Sequence, residues 1–120
     1  MLYRPFHLCG TEAPLSIAEA AVLGRPTGTP RPVPVADVVA YTKRALPAGG
    51  RLDGSGGETV YGLIERAAVA RHEQLLPLGL ADGVAVNKAL AADCPITWDD
   101  VELDETAFAL QRRREQDALW

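Results

Sequence analysis

The chain has 120 residues and a formal net charge of −4, which is enough for one body with a single hydrophobic core. A mildly acidic chain lacks the positive field that attracts phosphate backbones, so we expect no nucleic-acid partner. No apolar run approaches the roughly 20 residues of a membrane span. The N-terminus lacks the apolar core of a signal peptide, so we expect no membrane partner and a cytoplasmic location.

Residues 1–35 are predicted to form an N-terminal arm, a helix and a proline-rich tether. Residues 1–12 are expected to be extended, because proline at position 5 disfavours helical geometry there. The helix should begin at Thr11 or Ala13 and end at Gly24. Four prolines between residues 25 and 35 exclude a helix or an inner strand in the tether.

Residues 36–120 are predicted to form a mainly β domain that ends in a helix. Strands are expected at 37–43, 59–64 and 84–88, a short helix at 66–74 with Val69 facing inward, and at most a strand at 75–80. Asp104 is expected to cap the C-terminal helix. Its expected anchors are Phe108, Leu110, Leu119 and Trp120, and the arginine run at 112–114 is expected to be a solvated face.

An internal repeat is the most informative pattern in the sequence. At a constant offset of 44 residues, the segment 40–52 matches the segment 84–96, so that Leu46 corresponds to Leu90 and Gly49 to Asp93. Glycine and aspartate both tolerate the left-handed backbone of a tight turn. Two such units, each with too little apolar surface to fold alone, are expected to pack with pseudo-two-fold symmetry.

The two copies diverge directly after this turn. In the second copy, Thr97 and Asp100 have the spacing of a capping box, which predicts a single helical turn. In the first copy the glycines at 54–57 predict a flexible loop instead.

The cysteine and histidine pattern predicts no metal site. Cys9 and Cys94 lack metal-ligand spacing and are expected to be reduced thiols. His72 has no second histidine or cysteine at ligand spacing. Ser16 and Ser55 do not lie in a GxSxG motif, so no catalytic residue is predicted in the chain.

The doubled motif, at residues 43–52 and 87–101, resembles the SAF domain, whose fold is the β-clip. The resemblance implies an α+β, mainly β fold for residues 36–120. The second copy follows the family pattern of a basic strand end, an apolar pair, a turn and an Asp-Asp-Val step. The first copy departs from it after Leu52.

A narrower resemblance covers nearly the whole chain. Residues 4–8, 12–17, 57–64, 75–80 and 114–119 look like the C-terminal region of bacterial homoserine-dehydrogenase-like oxidoreductases, including reductoisomerase-like enzymes that form methylerythritol phosphate. In that group a Rossmann domain and a catalytic domain precede the SAF part. This sequence has no GxGxxG motif. The resemblance therefore implies an accessory SAF domain that binds no cofactor itself, with NAD(P) held by a partner domain in cis or in trans.

Two groups of side chains are candidates for substrate binding. Arg4, His7 and Glu12 lie where the larger relatives join their catalytic domain to the SAF part; they either reach a substrate site built elsewhere or hold the arm in place. Lys43, Arg44 and Lys88 end equivalent strands; they either form an anion site, pair with nearby acids or simply face water.

Two alternative functions follow from the same residues. The first is a stand-alone module that binds a small sugar-acid or phosphate-like ligand near the second group and the loop at 54–57. The accessory domain is expected to dock through an apolar face formed by residues 2–8, the helix at 14–23 and Trp120. The second alternative is homo-oligomerisation, in which this face is left uncovered and self-associates.

Overall fold

The computed structural model describes residues 8–28 and 33–119, and it divides the chain into two compact units, residues 1–31 and residues 32–120. The first unit contains one helix, α1 (Cys9–Leu23). It begins two residues before the earliest predicted start, because the Leu8 carbonyl already accepts the Thr11 and Glu12 amides. It ends as predicted at Gly24, whose φ is +61°. None of the described side chains of α1 is buried.

The second unit has an α+β fold built on two small antiparallel sheets. Strands β1 (Ala36–Thr42) and β3 (Val60–Arg66) form one sheet, and β2 (Arg51–Asp53), β4 (Asp82–Val86) and β5 (Val101–Glu102) form the other in the order β2-β4-β5. Two α-helices, α2 (Ala67–His72) and α3 (Phe108–Asp117), and two 3₁₀ helices, Leu78–Leu80 and Trp98–Asp100, complete it. No helix in the described part of the chain is long and apolar enough to cross a membrane.

The predicted repeat is confirmed by paired hydrogen bonds around an approximate two-fold axis. Leu46 and Leu90 each donate a backbone N–H to the other's carbonyl, both at 2.9 Å. The Thr42 amide bonds the Cys94 carbonyl at 2.9 Å, and the matching Val86 amide bonds the Gly50 carbonyl at the same distance. The axis therefore passes between the two leucines, and each copy completes the other's hydrogen-bond ladder.

The strand pairs that follow the turns also match. Thr42 lies opposite Val60 in the β1–β3 ladder, as Val86 lies opposite Val101 in the β4–β5 ladder. The offset between copies is 44 residues as far as Asp53 and Thr97 and falls to 41 at Val60 and Val101, because the first copy has a longer loop between these positions. The turn residues correspond as well: Gly49 has φ +79° and Asp93 has φ +55°, as their residue types predicted.

Both copies contribute to one apolar core. Its buried members come from both copies and from the segments that follow each of them, namely Ala40, Leu46, Leu52, Val60, Leu76, Ala81, Val86, Leu90, Ile96 and Val101. A smaller cluster joins Val39, Ala70 and Leu75. In α2 the buried residues are Ala67 and Ala70, and Val69, which was predicted to face inward, is half-buried. Residues 75–80 form isolated bridges and a 3₁₀ helix in place of a strand.

The attachment of α3 differs from the prediction. Leu110 is buried, as expected, but Phe108 and Leu119 are exposed, and Trp120 lies outside the described residues. Asp104 does not cap α3; its carboxylate accepts the Thr106 amide at 2.8 Å and closes the preceding turn. The second anchor of the helix is Arg113, which is half-buried between Asp37 on β1 and Asp117. The arginine run is therefore not uniformly solvated.

Candidate functional site

The loop of the first copy is closed by a reciprocal pair of polar side chains, Asp53 and Thr59. The Asp53 carboxylate accepts the Glu58 amide at 2.6 Å, the Thr59 amide at 3.0 Å and the Thr59 hydroxyl. The Thr59 hydroxyl in turn accepts the Asp53 amide at 2.9 Å. A Cβ at position 57 would overlap the Asp53 carboxylate, which explains the glycine there.

These donors lower the pKa of Asp53. The hydrogen bond from the Thr59 side chain is the largest cause, followed by the Glu58 amide, and together they bring the pKa from 3.8 to about 2. The loop therefore carries a fixed negative charge at neutral pH.

The turn of the second copy is closed by Thr97 and Asp100, which form the predicted capping box. Asp100 Oδ2 accepts the Thr97 amide at 2.8 Å, and the Lys88 ammonium lies 2.6 Å from Oδ1. Asp100 is buried, and burial alone would raise its pKa; the bonds from Lys88 and Thr97 outweigh that effect and lower it. The bond to Asp100 likewise raises the pKa of Lys88.

The two closures lie at equivalent positions of the repeat, but the aspartate and the threonine have exchanged places. Asp53 corresponds to Thr97, and Thr59 corresponds to Asp100, so the acid comes first in one copy and the hydroxyl first in the other. The pattern Ser/Thr-x-x-acid found the second closure. It could not find the first, where the order is reversed and five residues intervene.

The predicted cationic group is not gathered into one pocket. The Lys43 ammonium donates to the Gly57 carbonyl and thereby holds the loop at 54–57. Lys88 is engaged by Asp100, while Arg44 is exposed and makes no hydrogen bond or ion pair with any described residue. Lys88 thus pairs with a nearby acid and Arg44 is exposed, which fits two of the predicted alternatives, whereas Lys43 donates to a backbone carbonyl. Binding of an anion by this group stays a prediction.

The second predicted group lies mostly outside the described residues. Arg4 and His7 are not among them, and Glu12 is half-buried on α1. Their role in substrate binding also stays a prediction. The cysteines Cys9 and Cys94 are both free, as predicted.

Two open grooves lie on either side of the α3 N-terminus. The first, of about 600 Å³, has an apolar floor that includes Val38, Ile64 and Leu80 and a rim that includes Arg112 and Arg113. The second, of about 690 Å³, is bordered by Arg51 and by the acids Asp82, Glu102 and Asp104. Neither groove is lined by Lys43, Arg44 or Lys88.

The doubled unit corresponds to a known protein family. The family model of the SAF domain matches residues 37–102, which is more than half of the chain and covers both copies. The chain belongs to the SAF domain family. The matched segment of this SAF domain runs from β1 to β5 and contains both closures. A search of curated proteins found no match to the chain.

The described polar side chains of this SAF domain mainly stabilise its own structure. Among the described residues no group of histidine, cysteine, aspartate and glutamate side chains is arranged to hold a metal ion. The polar groups with shifted pKa values bind one another and stabilise loops. The SAF family match supports an accessory or binding module.

Proposed function

We propose that this chain is an accessory SAF domain, or a separate SAF subunit, of an NAD(P)-dependent oxidoreductase of the homoserine-dehydrogenase-like type. The partner domain supplies the cofactor and the catalytic groups in this assembly. The resemblance of residues 4–8, 12–17, 57–64, 75–80 and 114–119 to the C-terminal region of such enzymes supports this class of partner.

The observation that carries the proposal is the exposure of α1. Isolated helices need about 12–15 residues to be stable at all in water, and α1 is only at this limit, with 15 residues and no described side chain buried. Its large apolar residues Leu15 and Val22 are 64% and 79% exposed. A helix of this kind is stabilised when another surface covers its apolar side chains, as a docked catalytic domain would.

The first test asks whether the chain alone binds a dinucleotide. We expect titration of the full chain with NADPH and with NADH to give no saturable signal in fluorescence or calorimetry. Saturable binding of either nucleotide would contradict the assignment of the cofactor to a partner.

The second test seeks the partner directly. We expect the reading frame next to that of this chain, or continuous with it, to encode a Rossmann domain, and its product to co-elute with the full chain. Leu15→Glu/Val22→Glu should abolish the complex because it places two charges in the apolar contact. Ser16→Glu, which adds a charge to the same helix without removing an apolar side chain, is the control. Absence of such a frame, or a complex unaffected by the double substitution, would refute the proposal.

A third measurement separates this proposal from a ligand-binding module. A ligand that binds the folded state raises the melting temperature of a protein. We expect no rise with a set of sugar acids and phosphates. A rise that is lost in Arg44→Ala would favour the module instead.

A further inference from the structure

Helix α3 and the turn that closes it carry an exposed stripe that is complementary to its own reversed copy. The stripe consists of Phe108, Arg112 and Glu115 on α3 and of Leu119, which follows the C-cap Ala118 in a turn closed by a hydrogen bond from its amide to the Gln116 carbonyl. The spacing of four, three and four residues places these side chains along one side of the helix and its closing turn. Phe108 is 72% exposed and Leu119 is 80% exposed, and the side chains of Arg112 and Glu115 are 56% and 59% exposed. The order along the helix is apolar, cationic, anionic, apolar.

We propose that this stripe is the interface of a symmetric homodimer in which α3 packs antiparallel against α3 of a second copy. In that arrangement Phe108 of one copy meets Leu119 of the other. The same register places Arg112 against Glu115 of the other copy, twice. Every residue of the stripe then has a complementary partner, which is what a two-fold interface requires of a single surface.

Contacts within one copy already place Arg112 beside Glu115 and Phe108 of the proposed interface. Arg112 lies 2.7 Å from Glu115 of its own helix, and its guanidinium lies 5.0 Å from the Phe108 ring centroid. A second copy would extend this ion pair into four alternating charges. Exposed ion pairs contribute little stability, so the two Phe–Leu contacts supply most of the association and the charges set the orientation.

The other arginines of the run hold α3 with this stripe facing outward. Arg113 is bound by Asp37 and Asp117, and Arg114 lies 2.8 Å from Glu105. Of the three arginines, Arg112 is the one whose partners, Glu115 and the Phe108 ring, both belong to the stripe.

The apolar surface continues beside the helix. Ala109, Arg112 and Gln116 form one wall of the first groove, whose floor includes the cross-strand pair Val38 and Ile64. These two side chains are 43% and 79% exposed. A helix packed on the stripe can therefore also cover part of this floor. The inference is independent of the proposed function, because it involves none of α1.

Charge reversal gives the sharpest test. We expect sedimentation of the full chain to show a concentration-dependent monomer–dimer equilibrium. Arg112→Glu and Glu115→Arg should each raise the dissociation constant about tenfold or more, because each makes the central charges alike. An equimolar mixture of the two variants should form a 1:1 heterodimer, since one copy then carries two anions and the other two cations.

The control is Arg114→Glu, which makes the same change of charge on another face of α3. It should dimerise like the unchanged chain, and circular dichroism should show all three variants folded. A chain that stays monomeric at about millimolar concentration, or a dimer that Arg112→Glu leaves intact, would overturn the proposal.

Cross-linking tests the register. In a Cys9→Ser/Cys94→Ser background, a mixture of the Phe108→Cys and Leu119→Cys variants should form an intermolecular disulfide. Phe108→Cys alone should not, because the two copies of position 108 would lie about 16 Å apart along the helix axis. Cross-linking by Phe108→Cys alone would indicate a parallel arrangement and refute the antiparallel interface.

Discussion

The hydroxyl of Thr42, at the end of β1, donates to the Ala91 carbonyl in the turn of the other copy at 2.6 Å. It also accepts the Cys94 amide at 3.0 Å, and the side chain is fully buried. The equivalent residue in the second copy is Val86, which is buried without a hydroxyl. The Thr42 hydroxyl thus stabilises the turn of the second copy, and Val86 makes no such bond to the turn of the first copy.

Thr42→Val should therefore destabilise the chain although its shape is nearly unchanged. The substitution removes the hydroxyl that bonds the Ala91 carbonyl and the Cys94 amide in this partly buried turn, which costs about 1 kcal/mol. Urea unfolding of Thr42→Val and of Thr42→Ser, which keeps the hydroxyl, would measure the difference. Equal stability of the two variants would show that the hydroxyl is not needed.

The two leucines on the axis should contribute similar amounts to stability. Both Leu46 and Leu90 are buried in the core, so we expect Leu46→Ala and Leu90→Ala each to lower the free energy of unfolding by about 3 kcal/mol. The same substitution at Leu63, which is exposed on β3, should change it by less than about 1 kcal/mol. A large loss in one axial variant and none in the other would contradict the symmetry.

Gly49 and Gly79 form a matched pair for testing backbone strain. A Cβ would meet no atom within 4 Å at either site, but Gly49 has φ +79° and Gly79 is not in the left-handed region. We expect Gly49→Ala to lower the free energy of unfolding by about 1 kcal/mol and Gly79→Ala to change it little. If both variants lose the same stability, conformational strain at the turn is not the cause.

The pKa of Asp53 predicts a stability change in acid. Because this pKa is lowered in the folded state to about 2 from 3.8, the carboxylate stabilises the fold above the unfolded-state pKa. That contribution is lost as the pH falls from about 4 through about 2. We expect Asp53→Asn to be less stable than the unchanged chain at pH 6 and the gap to narrow by pH 2, as followed by thermal unfolding. A gap that is constant with pH would exclude the carboxylate charge as its source.

The repeat was predictable from sequence because both copies keep the same turn chemistry. The same offset relates Leu46 to Leu90 and Gly49 to Asp93. In the structure the two leucines pair, and both turn residues have positive φ values. The helical turn at 97–100 was predictable for a similar reason, since its capping residues are close in sequence. Signals of this kind lie within short segments, so they do not depend on how the rest of the chain packs.

What could not be predicted depends on distant partners. Phe108 and Leu119 were expected to anchor α3 together with Leu110, but only Leu110 is buried. The other anchor is the ion pair of Arg113 with Asp37, which lies more than 70 residues away in sequence. The sequence could not show whether Lys43 and Lys88 form an anion site or bind neighbouring groups. Their partners, the Gly57 carbonyl and Asp100, depend on how each loop closes.

The interlocked ladders have a consequence for synthesis on the ribosome. The hydrogen bonds of Thr42 with Cys94, and of Gly50 with Val86, join segments that are dozens of residues apart, and the core draws on both copies. A nascent chain that has reached only α2 has β1 and β3 but not the second set of strands that completes their core. We infer that folding of this unit waits until Val101 has emerged, and that the first half must stay soluble until then.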